Sequence, residues 1–145
     1  MATGLINGTD LLLKVGADGT EAIIAASTSC SLEVSMDEID QTNKDSLGWK
    51  SIIGGTRSWS VSADALYQNE DVANTSFVDL WSYVNTRSKI FVEFTVEGGS
   101  AGDDNVYYEG SGFITSLSVN GGTEDQSSFS VTITGSGALV EDTFA

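Results

Sequence analysis

The sequence predicts a mainly β, antiparallel protein with one α-helix packed on a sheet and a long loop between the third and fourth strands. Three observations predict it. Seven segments alternate apolar and polar residues at the period of a strand that buries one side, Gly-, Asn- and Asp-rich turns punctuate them, and a single segment switches to the helical period. The 145 residues suit one domain, 1–145, with enough length for a core of its own. Forty per cent hydrophobic content, with 3 Trp, 4 Tyr and 6 Phe, excludes a disordered chain.

In chain order the strand segments are TDLLLKV (9–15), EAIIAAS (21–27), SCSLEVSMD (29–37), RSWSVSADALY (57–67), KIFVEFTVE (89–97), VYYEGSGFITSLSV (106–119) and SSFSVTITGSG (127–137). ADG, GGSAGDDN and NGGTED between them carry the chemistry of hairpin turns. The complete absence of proline leaves every strand amide free to pair. Cys30 shares the apolar parity of Leu32, Val34 and Met36, and as the sole cysteine it has no internal disulfide partner, so it is expected to be a core thiol.

Residues 75–87 are expected to form the helix. Phe77, Leu80, Trp81 and Val84 fall at i, i+3, i+4 and i+7 and make one apolar stripe, expected in the core. Ser76 and Asp79 form an N-cap pair, and Arg87 and Lys89 stand where a helix C-terminus favours cations. Residues 37–56 follow no clean period and are expected to be the long loop. Leu47, Trp49, Ile52 and Ile53 are too apolar for a disordered linker, and Lys44, Lys50 and the adjacent Arg57 gather half of the six bases. An amphipathic loop of this kind points to a partner surface, and these seven residues are the candidate inter-subunit contacts.

Charge and missing residue types narrow the function. With 21 acids against 6 bases the formal net charge is −15, and no Lys or Arg follows Lys89. Such a surface repels phosphates, which disfavours nucleic-acid binding in the usual sense. There is no histidine, so Ser-His-Asp and Cys-His systems and His-built zinc sites are excluded. Asp37, Glu38 and Asp40, and likewise Asp103 and Asp104, read as solvated loop acids rather than acid-base pairs or a calcium loop. No phosphate-cradling glycine motif occurs. No catalytic residue, cofactor or metal is expected. No apolar run approaches the roughly 20 residues that span a bilayer, so no membrane anchoring is expected. MATGLINGTDLLLKV lacks the pattern of a secretory signal, and a cytoplasmic origin follows as an expectation.

The most informative feature is a set of hydroxyl faces. Ser128, Ser130, Thr132 and Thr134 alternate with Phe129, Val131 and Ile133, and the habit recurs at Ser29, Ser31 and Ser35, at Ser58, Ser60 and Ser62, and at Ser116 and Ser118. Soluble sheets usually scatter Lys and Glu there. Joined in one sheet, these strands would show a face of small hydroxyls, charged only at Glu33 and Asp64 and without a base.

NGTDLLLKVG, SCSLEVSMDEIDQTNKDSLGWKSIIGGTRSWSVSADALY and GSGFITSLSVNGGTEDQSSFSVTITGSGAL, in this order and with the helix between the last two, cover nearly the whole chain. Their arrangement resembles the major tail tube proteins of long-tailed, non-contractile bacteriophages and of gene transfer agents. The resemblance implies a β-sandwich with a flanking helix, hexameric rings stacked into a virion tail tube assembled in the bacterial cytoplasm, and a continuous barrel made from the inner sheets of neighbouring subunits. It implies that Ser31, Glu33, Ser60, Ser62, Asp64, Ser116, Ser118, Ser128, Ser130 and Thr132 line a channel for double-stranded DNA, which passes without specific binding. It further implies that the loop 37–56, an N-terminal arm 1–8 and a C-terminal arm 138–145 join subunits. Tape-measure, tail-terminator and baseplate or distal tail proteins would be the other partners.

Other readings are an inner tube of a contractile tail or secretion-type injection system, a capsid decoration protein, and an acidic β-sandwich for carbohydrate binding or adhesion. The last needs exposed aromatics on one face, whereas Trp59 and Phe129 sit on buried parity. An enzyme stands last among these readings.

Overall fold

A computed structural model of the chain describes residues 11–17, 21–24, 27–67, 74–96 and 106–143. The elements are β1 (Leu11–Gly16), β2 (Ala22–Ile23), β3 (Ser27–Asp40), β4 (Ile52–Leu66), α1 (Phe77–Thr86), β5 (Ile90–Val96), β6 (Val106–Asn120), β7 (Ser128–Gly135) and β8 (Val140–Thr143). All strand pairs are antiparallel, in the order β2-β1-β5-β6-β7-β4-β3, with β8 also on β6. The long β6 belongs to both halves of the sheet, pairing with β5 through Tyr108–Gly112 and with β7 through Gly112–Asn120.

Alternation builds one core between the halves. Leu13, Val15, Ile90 and Val92 come from one half and Trp59, Val61, Ala63, Phe129, Val131 and Ile133 from the other, and all lie in a single buried cluster with Leu80. Each fully buried aliphatic or aromatic side chain contributes roughly 1.5–3 kcal/mol by leaving water. Cys30 packs half-buried against this cluster, and burial raises its thiol pKa, which favours the protonated thiol.

The helix runs from Phe77 to Thr86 because both ends are capped. Asp79 Oδ2 accepts from the Ser76 amide at 3.0 Å and from the Ser76 hydroxyl at 3.1 Å. At the other end Arg87 takes a left-handed conformation (φ 54°), the Arg87 amide donates to the Val84 carbonyl, and the Ser88 amide donates to the Tyr83 carbonyl. Replacing Arg87 by Gly is therefore expected to stabilise the monomer by about 0.5 kcal/mol. Relief of roughly 1 kcal/mol of left-handed strain is partly offset by the entropy that glycine adds to the unfolded chain. Thermal denaturation checks this, and a lower melting temperature would contradict it.

Three expectations are corrected. Leu80 is fully buried and Phe77 packs on the core, but Trp81, assigned to the core stripe, is 55% exposed. The stripe turns so that Tyr83 packs against the core in its place. The region between the third and fourth strands is mostly strand: β3 continues to Asp40 and β4 begins at Ile52, leaving 41–51 as the connection. Its period was hidden by a bulge, where Gly55 and Thr56 of β4 stand opposite the single Asp37 of β3 and shift the parity by one residue. The C-terminal segment 138–145 is not wholly an arm, because Val140–Thr143 pair with Val106–Glu109 of the same chain. The N-terminal arm, 1–8, lies outside the described residues, as do Asp103 and Asp104.

Candidate functional site

Strands β3, β4, β7 and β6 bring the hydroxyl positions together in register. Ser31 pairs with Ser62, Ser62 with Thr132 and Thr132 with Ser116, which makes one row across the sheet. The next row is Ser29, Asp64, Ser130 and Ser118, and on the other side Glu33, Ser60 and Thr134 make a third. Ser128, beyond the second row, pairs with Leu66 and Asn120. All ten residues assigned to the channel therefore stand on the same sheet face, opposite the core.

Side-chain hydrogen bonds tie the rows across strands. The hydroxyls of Ser31 and Ser62 are 2.7 Å apart, those of Ser35 and Ser58 2.8 Å, and those of Thr115 and Thr134 3.0 Å. Asp64 accepts from Ser29 at 3.0 Å and from Ser130 at 2.6 Å, so the central carboxylate is held between two strands. Such pairs fix register and leave a surface of short hydroxyls, charged at Asp64 and Glu33. Arg57 is opposite Met36 on the other face, and no Lys or Arg occupies the hydroxyl rows. Phe113, opposite Thr134 and partly exposed, interrupts the pattern. A second bulge at Thr115 hid it from the sequence.

Two edges of this four-stranded half are open. Among the described residues β3 has no partner beyond β4, and Phe113–Asn120 of β6 have none beyond β7. Edges of such length are normally covered, shortened or guarded by lysine or proline, and β3 has neither residue.

The far end of the β3–β4 hairpin forms an arm. Beyond Ser60, β4 pairs only with β3. Residues 41–51 close the arm with a single 3-10 turn, Lys44–Ser46, in which Asn43 Oδ1 accepts from the Asp45 amide at 2.9 Å, while the Ser51 amide donates to Thr42 Oγ1 at 2.9 Å. This bonded tip displays Leu47 and Trp49, 87% and 80% exposed. Ile53 pairs with Ile39 on the hydroxyl face, and Ile52, opposite Asp40, points to the other. The expected apolar contacts thus gather on the arm. The bases divide: Lys44 is in the tip turn, Lys50 forms an ion pair with Glu38 at 2.9 Å, and Arg57 lines a cleft of about 640 Å³ at the arm's root, with Val34, Trp59, Tyr108, Leu139 and Glu141. In that cleft a hydrogen bond to Glu141, then burial and the Glu141 charge, raise the Tyr108 pKa and keep the phenol neutral.

Among the described residues no group of side chains is arranged for catalysis. Among the described residues no group of three His, Cys, Asp or Glu side chains could hold a metal ion, and no helix is long and apolar enough to cross a membrane. Asp37, Glu38 and Asp40 lie along exposed β3 rather than converging on a cavity.

A base-free hydroxyl face flanked by two open strand edges, with an apolar arm beyond it, is the surface of a structural protein rather than a catalytic site. The chain belongs to the phage tail tube protein family, whose profile matches residues 5–141. No curated protein matches the sequence. Among solved structures, the chain is similar to one in the tail of an empty gene transfer agent particle with C6 symmetry, at 22% identity, with 94% of this chain and 98% of that one covered and a TM-score of 0.80. It is also similar to one in the SPP1 tail tube, at 12% identity, with 96% and 80% covered and a TM-score of 0.76. A chain of the anti-feeding prophage baseplate shares the fold at 7% identity, with 99% and 98% covered and a TM-score of 0.62. The protein is a structural component of the virion tail, not an enzyme.

Proposed function

We propose that the protein polymerises as stacked hexameric rings into a tail tube whose channel is lined by the hydroxyl face, through which double-stranded DNA passes. The observation that carries this is the pair of open edges. Direction alternates across β3, β4, β7 and β6, so rotation about an axis brings β6 of one copy beside β3 of the next running antiparallel. Cyclic repetition then closes a barrel and satisfies both edges. The C6 symmetry of the similar gene transfer agent tail supports six copies. A wall with serine and threonine, Asp64 and Glu33 and no base offers a polyanion nothing to pin it.

The arm then joins successive rings or neighbouring subunits. Tape-measure protein inside the tube and terminator and distal tail proteins at its ends are the remaining partners. Negative-stain microscopy of the purified chain is the direct test: rings or tubes of uniform diameter are expected, and a chain that stays monomeric would overturn the reading. Replacing Trp49 and Ile52 together by Ser should remove about 3–6 kcal/mol of burial per contact and raise the concentration needed for assembly at least a hundredfold. Monomer melting should hardly change, since both side chains are exposed on the arm. Normal assembly of this variant would remove the arm from the interface.

A further inference from the structure

We propose that the exposed flank of α1 is the outer clamp of each ring contact: Val78 and Trp81 of one copy pack on Val34 and Met36 of the next copy's β3. This rests on the ring reading and adds a second layer to the edge pairing. Phe77 stacks edge-on against Phe129 of β7 with ring centroids 5.6 Å apart, and Leu80 is fully buried, so α1 lies on the core side of the hydroxyl-faced sheet. Its main strand neighbour is β6, whose C-terminal half has an open edge. Tyr83 packs against the core, while Val78 and Trp81 leave an uncovered apolar flank.

The complementary patch stands at the opposite edge. Val34 and Met36, 59% and 60% exposed, lie on the core side of β3 opposite Trp59 and Arg57, and Val34 forms part of the wall of the cleft at the arm's root. Joining β6 of one copy to β3 of the next places both patches on the outer side of the same continuous sheet. Phe129, where Phe77 anchors α1, and Gly135, level with Val34, are about six residues apart on β7, so the proposed contact requires the two edges to pair with a stagger of that order, as strands of a closed barrel do. Charge agrees with the fit. Arg87 and Lys89, two of six bases, follow α1 and form no ion pair among the described residues, while Asp40 continues the Val34 and Met36 side of β3 beyond Glu38, which Lys50 holds, and Arg57 opposite Met36. The contact is heterologous, different patches meeting, as a closed ring requires.

Cross-linking tests it in assembled tubes. With Cys30 replaced by Ala, a Val34→Cys, Trp81→Cys double variant treated with a short bismaleimide should give a denaturing-gel ladder rising to the ring size, as should Met36→Cys with Val78→Cys. The four single-cysteine variants should stay monomeric on the gel. Tubes without a ladder would overturn the inference, as would dimers from Trp81→Cys alone, which would make the helix face self-paired. Independently, Trp81→Glu should raise the concentration needed for assembly roughly tenfold or more with unchanged monomer melting, and unchanged assembly would also overturn it. Failure of the ring reading would show differently, as absence of tubes from the parent chain.

Discussion

Replacing Gly135 by Ala is expected to destabilise the monomer by about 2–4 kcal/mol and lower its melting temperature by roughly ten degrees. A methyl group there would overlap the indole of Trp59, which is 5% exposed and donates from Nε1 to the Gly137 carbonyl at 3.1 Å. Gly110 of β6 presses on the same ring, so the indole can yield only toward the cleft at the arm's root. Moving it would break the hydrogen bond and open a void. Gly121→Ala is the control, since the added carbon would meet only the flexible Ser127 hydroxyl at 3.2 Å and Gly121 is exposed. It should stay within about 0.5 kcal/mol of the parent. Adding Trp59→Phe to Gly135→Ala should recover part of the loss, because the smaller ring relieves the overlap, and a double-mutant cycle measures that coupling. A Gly135→Ala protein as stable as the parent would refute the account. The effect reaches function because Trp59 stands where β4 parts from β7, one residue beyond the Ser60–Thr134 pair, and so fixes the root of the arm.

What could be read from the sequence was whatever depends on local period. The hydroxyl parities at Ser31, Ser60, Ser116 and Ser130 were legible residue by residue, because strand alternation assigns faces without knowledge of partners. The helix was placed within two residues at its start and one at its end, since Ser76 and Asp79 cap it in sequence-local fashion. Trp81 was misplaced because an apolar residue at the rim of a helical stripe fits either side, and tertiary packing decides. The arm was hidden by the Gly55–Thr56 bulge, which swaps the faces of Ile52 and Ile53. Four residues, two of them acids, were too few to announce β8. The order β6-β7-β4-β3, and with it the open edges, was beyond local reasoning, because it depends on which strands meet across long separations.

Ser116→Lys is expected to leave tubes intact and cut genome delivery roughly tenfold or more, since one cation per subunit repeats around every ring and many weak phosphate contacts add along the channel. The choice of position follows from the rows. Ser116 ends the row of Thr132, Ser62 and Ser31, which contains no carboxylate within the chain. A lysine at Ser130 would instead replace the hydroxyl that bonds Asp64 and stand beside that carboxylate, which would hold its ammonium and mute its effect on DNA. The expected order of delivery is therefore parent, then Ser130→Lys, then Ser116→Lys, with Ser116→Glu close to the parent because it adds only like charge to the wall. Fold cost should be within about 0.5 kcal/mol, as Ser116 is an exposed strand position. Complementing a particle that lacks its tail tube protein with each variant, counting tails by microscopy and measuring delivery separates assembly from passage. Equal delivery by Ser116→Lys and Ser116→Glu in well-formed particles would remove the hydroxyl face from the channel. Failure of Ser116→Lys to form tubes would instead place that face between subunits, where an unpaired cation must be desolvated.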